Sequence, residues 1–110
     1  MWRILLLLLF LFAIEFNVQA QNIDNKLEEI EQQEDKTIAV AQLSQLLENE
    51  ELSNSQRIKI LILQSRGYLT LSDLKKALIV IQQAKLLANQ DNLPLQQAQV
   101  DKIMGIILYY

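Results

Sequence analysis

The 110-residue chain has no cysteine, no histidine, a single proline and two glycines. Without cysteine there are no disulfides, thiolate metal ligands or thiol nucleophiles, so stability has to come from packing. Without histidine there is no imidazole base and no usual zinc or haem ligand set. Gly67 and Gly105 each stand alone inside a helical pattern, which leaves no glycine-rich loop to cradle a phosphate. A formal charge of −3, with no basic stripe interleaved with aromatics, argues against a nucleic-acid partner. Carboxylates and lysines remain, but no pair of them converges in an expected pocket. No enzyme activity, cofactor or metal site is expected.

What is present is helical. Half the chain is hydrophobic (51%), and with so few turn formers it reads as one small domain of helices rather than a sheet. The first twenty residues stand apart. Arg3 supplies a small positive region, Ile4 through Ile14 form an unbroken apolar run, and Val18, Gln19 and Ala20 end it with a peptidase-type sequence. Such a run covers roughly 16 Å as a helix, about half the hydrocarbon thickness of a bilayer. The expectation is a signal peptide over 1–20, cut between Ala20 and Gln21, with export to the periplasm or the medium. Membrane contact is then confined to an uncleaved signal or to a missing C-terminal part.

From Gln21 the chain turns polar and acidic. Ile23, Leu27 and Ile30 mark a short amphipathic helix, and Glu28, Glu29, Glu31, Glu34 and Asp35 crowd its other side and its end. These carboxylates lack the glycine and alternating Asp/Asn of a calcium loop and read as a solvated face. A second helix is predicted over Lys36 to Leu47, capped by Asp35, with Ala39, Leu43 and Leu46 inward. Ser53 and Gln56 have capping-box spacing and open a third helix to about Leu69. That helix is apolar nearly all round and therefore needs cover on more than one side. Ser72 is the expected cap of a fourth helix, whose stripe is Leu74, Ala77, Ile81, Ala84 and Ala88. Asn92 is the expected cap of a fifth, with Pro94 in its first turn and Ala98, Ile103, Met104, Ile107 and Leu108 as its apolar positions.

The segments repeat. Leu27 and Ile30 precede Ser65 and Tyr68 by 38 residues, and Gly105 and Leu108 follow them by 40. Asp35, Ala39, Leu43 and Leu46 precede Asp73, Ala77, Ile81 and Ala84 by 38. A period in this range is the signature of stacked helical hairpins. The order of Tyr68, Ser72, Asp73, Ala77, Ile81 and Ala84, with Ser65 and Gly105 at the small position of the first helices, resembles the tetratricopeptide repeat family in its exported bacterial form. Gln64 and Asp101 stand where large apolar residues are usual, and Leu27 where a small one is.

The resemblance covers Gln21 to Tyr110, two and a half repeats. It implies an all-α fold in which antiparallel helix-turn-helix units stack as a right-handed superhelix. It also implies that a protein or peptide segment is held on the concave side, lined by the first helix of each repeat. By position the concave candidates are Asp24, Glu28 and Glu31, then Lys59, Ile62, Arg66 and Leu69, then Gln99, Lys102, Ile106 and Tyr109. Residues 21–51 hold nine acids against Lys26 and Lys36, while 52–110 hold seven bases against Asp73, Asp91 and Asp101. Such polarity could orient a charged segment, or it could simply solvate an exposed face.

The fifth helix reaches Tyr109 and Tyr110 without a cap or a following helix, so Ile103, Ile107 and Leu108 are expected to lack cover. Truncation in the third repeat, or self-association through the last helix, would supply it. Two functions fit these observations. One is an exported scaffold for protein or peptide interaction. The other is the N-terminal sensory input region of a larger membrane-bound signalling protein, such as a diguanylate cyclase or a sensor histidine kinase.

Overall fold

The computed structural model describes residues 22–49 and 51–109. The expected signal peptide over 1–20, with its expected cleavage between Ala20 and Gln21, and Tyr110 lie outside the described residues. All regular structure among the described residues is helical: α1 (22–31), α2 (Lys36–Leu47), α3 (Asn54–Thr70), α4 (Leu74–Gln90) and α5 (Pro94–Tyr109). The chain divides into two compact units, Met1–Gln32 and Gln33–Tyr110. In the first, α1 buries Leu27 and Ile30 and closes with the Gln32 amide on the Glu28 carbonyl at 3.2 Å.

The second unit is α2 to α5. Asp35 caps α2 by accepting from the amides of Thr37 and Ile38 at 3.0 and 3.4 Å. The capping box at α3 forms in both directions: Gln56 N donates to Ser53 Oγ at 3.1 Å, and Ser53 N to Gln56 Oε1 at 2.9 Å. Each such cap is worth about 1 kcal/mol. At the far end of α2, Arg57 reaches back from α3 and donates to the carbonyls of Leu47 and Asn49 at 3.3 and 3.1 Å. Its cation thus meets the negative end of α2, where the last carbonyls have no helical partner.

The turns after α3 and α4 have the same geometry. Ser72 and Asn92 adopt left-handed backbone, with φ of 60° and 54°. After α3, Asp73 N donates to Tyr68 O at 2.8 Å and Ser72 N to Leu69 O at 3.0 Å. After α4, Leu93 N donates to Ala88 O at 3.1 Å and Asn92 N to Asn89 O at 3.4 Å. Both are Schellman endings, in which the bonds satisfy carbonyls that the helix leaves unpaired and offset about 1–2 kcal/mol of left-handed strain. Two expected caps are corrected by this geometry. Ser72 ends α3 rather than opening α4, whose cap is Asp73, accepting from Lys76 N at 3.2 Å. Asn92 likewise ends α4, and α5 starts with Pro94 after Leu93, whose carbonyl accepts from Gln97 N at 2.9 Å.

Helix α3 packs against α2, α4 and α5, the multiple cover that its apolar surface requires. Toward α2 the approach is close at Gly67, where a Cβ would lie 2.6 Å from Val40 Cγ1. Toward α4 it meets Ala77, Ile81, Ala84 and Ala88, all fully buried, and Ser65 Oγ donates to the Ala77 carbonyl at 2.9 Å. Small side chains on α4 let the two backbones come near enough for that bond. Leu74, expected on the same stripe, is 38% exposed in the first turn. Direction reverses at every turn, so α3 and α5 run the same way. Gln96 fixes their register by donating to Ser55 O and Oγ at 3.1 and 3.3 Å. Val100, Ile103 and Ile107 of α5 then join Ile58, Leu61 and Ile62 of α3 in one core with α4. Ile103 and Ile107 are therefore covered, contrary to expectation, while Leu108 is exposed as expected, together with Leu95, Ile106 and Tyr109.

Candidate functional site

Three of α3's sides carry neighbours, which leaves one line open. Lys59 and Arg66, seven residues apart and so two turns along the same face, are exposed there. Ile62 lies between them in sequence but is only 7% exposed and belongs to the core shared with α5. It is removed from the candidate set, because the neighbouring helix covers the side on which it projects. Leu69 is half-buried against the same core. On α5, Gln99, Lys102, Ile106 and Tyr109 are all exposed. Helix α5 packs against α3, and these residues lie away from that contact. Asp24, Glu28 and Glu31 are exposed on α1 in the first unit, at spacings of four and three that place them along one side of that helix.

Lys59, Arg66 and Lys102 share exposure without a carboxylate partner among the described residues with Lys26 and Lys75, and only the spacing along α3 and α5 sets them apart. Lys76 pairs with Asp73 and Lys85 with Asp101, both at 3.8 Å. Neither involves Lys59, Arg66 or Lys102, which have no carboxylate partner among the described residues. An unpaired exposed cation keeps its full attraction for an incoming anion, reduced only by solvent and salt. The apolar surface beside them, Ile106 and part of Leu69, gives the face a mixed character suited to a peptide more than to a metal ion. Among the described residues no group of His, Cys, Asp or Glu is placed to hold a metal.

Sequence reading missed three polar residues that shape the surroundings. Gln64 is 4% exposed and donates to Ser44 Oγ at 2.7 Å across the α2–α3 seam, while its Oε1 has no partner. Gln96 repeats this at the α3–α5 seam, with its own Oε1 unpartnered. Arg57, besides capping α2, borders an open groove of ≈ 400 Å³ lined by Leu47, Leu61, Leu86 and Leu87. The signal for Gln64 was its place in a pattern that calls for leucine. For Arg57 there was none, since its acceptors are backbone carbonyls ten and eight residues earlier.

A second groove of ≈ 330 Å³ lies among Thr37, Ser44, Tyr68, Asp73 and Lys76, where α2, α3 and the start of α4 meet. Lys76 Nζ stands 5.8 Å from the Tyr68 ring centroid, so the cation and the aromatic face already occupy each other there. Among the described residues no helix is long and apolar enough to cross a membrane. No protein-family model matches the chain, and neither a curated protein nor a solved structure is significantly similar to it.

Proposed function

We propose that this chain is an exported helical-repeat scaffold that holds a protein or peptide segment, with the open lines of α3 and α5 as the binding face. The observation that carries the reading is the pair Lys59 and Arg66, exposed and without a carboxylate partner on a face bordered by apolar Ile106 and Leu69. Further support comes from the recurrence of one turn geometry after α3 and after α4, and from the shared direction of α3 and α5. Those are the relations that stacked tetratricopeptide-like hairpins would have. In this reading the helices continue as a right-handed superhelix and the leader directs the protein to the periplasm or the medium.

Segments rich in carboxylates with interspersed apolar residues are the ligands such a face would favour, because paired charges set orientation while apolar contact adds affinity. The test is binding of the full chain to two synthetic peptide arrays of equal hydrophobicity, one acidic and one basic. Preferential, salt-sensitive capture of acidic peptides is expected, with at least a tenfold loss in the Lys59→Glu, Arg66→Glu double variant. Equal capture by both arrays, or a double variant that binds as well as the parent, would remove the reading.

A further inference from the structure

Helices α2 and α4 both pack on α3 but scarcely on each other, and the groove of ≈ 400 Å³ beside Arg57 lies among the three. Leu61, 4% exposed, is its deepest leucine, and Leu86, 65% exposed, stands at its rim. Besides the four leucines and Arg57, the lining consists of Gln83 and Gln90, so the groove holds one charged side chain and no carboxylate. Arg57 is half-buried there, and its bonds to the carbonyls of Leu47 and Asn49 fix the guanidinium in place. A guanidinium has five N–H donors, so these two bonds leave three. The partial charges of two carbonyls balance a full cation only in part. Glu48 and Glu51, its near neighbours in sequence, are exposed and do not line the groove.

We propose that this groove binds an aliphatic carboxylate, its apolar chain along Leu47, Leu61, Leu86 and Leu87 and its anionic group on Arg57. Charge decides the head: a carboxylate takes two parallel, charge-assisted bonds from a guanidinium, and here the side chain is already ordered before the ligand arrives. The walls decide the tail. A peptide would carry several amides into a lining whose neutral polar side chains are Gln83 and Gln90, whereas an alkyl chain brings no polar atom that needs a partner. The volume lies within the range of about 300–1,000 Å³ that small-molecule sites span. None of the groove residues belongs to the proposed peptide face, so the two readings stand or fall separately.

The experiment is titration calorimetry of the full chain with decanoate below its micelle concentration, beside decyltrimethylammonium, which has the same tail and the opposite charge. Decanoate should bind saturably at one site per chain, and the cation about tenfold more weakly or not at all. Leu86→Glu, an exposed change that leaves helical circular dichroism intact, should weaken decanoate about tenfold by setting a carboxylate on the groove wall. Arg57→Gln should abolish the preference for the anion over the cation. The Lys59→Glu, Arg66→Glu chain should bind decanoate as the parent does. Absence of saturable binding overturns the proposal, as does equal affinity for the two amphiphiles. Undiminished binding by Leu86→Glu would place the ligand elsewhere, on the apolar leader for instance, and overturns it too. So does loss of binding in the Lys59→Glu, Arg66→Glu chain, which would place the ligand on the peptide face.

Discussion

Helices α3 and α5 both carry many apolar residues and stand forty residues apart in the repeat, yet among the described residues only α3 has neighbouring helices on three sides. Its small position, Ser65, is filled from across the seam by the Ala77 carbonyl, while that of α5, Gly105, faces open space. The difference shows that a helix's apolar composition does not decide how deeply it is buried. On α3 the cover comes from α4, whose small side chains Ala77, Ala84 and Ala88 are fully buried against it. Burial of this kind is also uneven in its energetic weight, since a fully enclosed side chain costs both transfer energy and a cavity when truncated.

The sharpest way to break the comparison is to truncate one large residue in each environment. Ile81 is fully buried between α4 and α3, and Ile81→Ala should cost about 2–5 kcal/mol, a large share of a small domain's stability. Leu108→Ala should stay within about 0.5 kcal/mol, as exposed positions do. Urea midpoints measured on dilute protein would read both. Comparable losses at the two sites would mean that α5's flank is as enclosed as α3's.

The glycines turn the comparison into a difference of sign. Alanine raises helix propensity by about 1 kcal/mol over glycine at an interior position. At Gly105 that gain stands alone, and Gly105→Ala should raise the midpoint in dilute solution. At Gly67 the new methyl would lie 2.6 Å from Val40 Cγ1, on a β-branched side chain with little freedom to turn away. Overpacking costs about 1–3 kcal/mol, so Gly67→Ala should be a net loss. The Val40→Ala background should lessen it.

How much of this could be read from the residues depends on what kind of pattern carried it. The helices were legible from apolar spacing, and the caps at Asp35 and Ser53 from side-chain chemistry that acts over three residues. The ends of α3 and α4 were not, because Asn92 can serve either as an N-cap or as a left-handed residue, and the chemistry of Ser72 announces a cap rather than the left-handed backbone it adopts. Only the backbone shows which role is taken. For the candidate face, Lys59 and Arg66 were placed on one line by their spacing, but Ile62 was grouped with them because sequence periodicity cannot tell an open side from one that a later helix covers. The same blindness assigned Ile103 and Ile107 to an uncovered surface.

Gln64 tests a smaller asymmetry between seams. It gains one hydrogen bond, to Ser44 Oγ, and loses the hydration of an acceptor that finds no partner. Ser44 would not be left unsatisfied without it, since its hydroxyl donates to Val40 O at 3.0 Å. Gln64→Leu should therefore raise stability by about 1 kcal/mol, the balance of a lost bond against a relieved buried polar atom. A loss of similar size on urea unfolding would mean that a water molecule completes the amide.

The weakest expected effect lies where α3 and α4 meet solvent. Lys76 combines an ion pair to Asp73 at 3.8 Å with a position 5.8 Å from the Tyr68 ring centroid, but its side chain is 63% exposed. Screening at such exposure limits an ion pair to a few tenths of a kcal/mol, and a cation over an exposed ring adds about 0.5–1. Alanine returns part of this through helix propensity, and the cap survives because Asp73 accepts from the backbone amide of Lys76. Lys76→Ala should accordingly cost about 0.5 kcal/mol at low salt, with the ion-pair share vanishing near 1 M salt, where the Debye length is about 3 Å. A cost that persists undiminished in high salt would assign the contact to packing of the lysine's methylene stem on Tyr68. In that case the α3–α4 seam would owe to apolar cover even the contact that looks electrostatic, and α5, with Leu108 in the place of Tyr68, would lack only a neighbouring helix to match it.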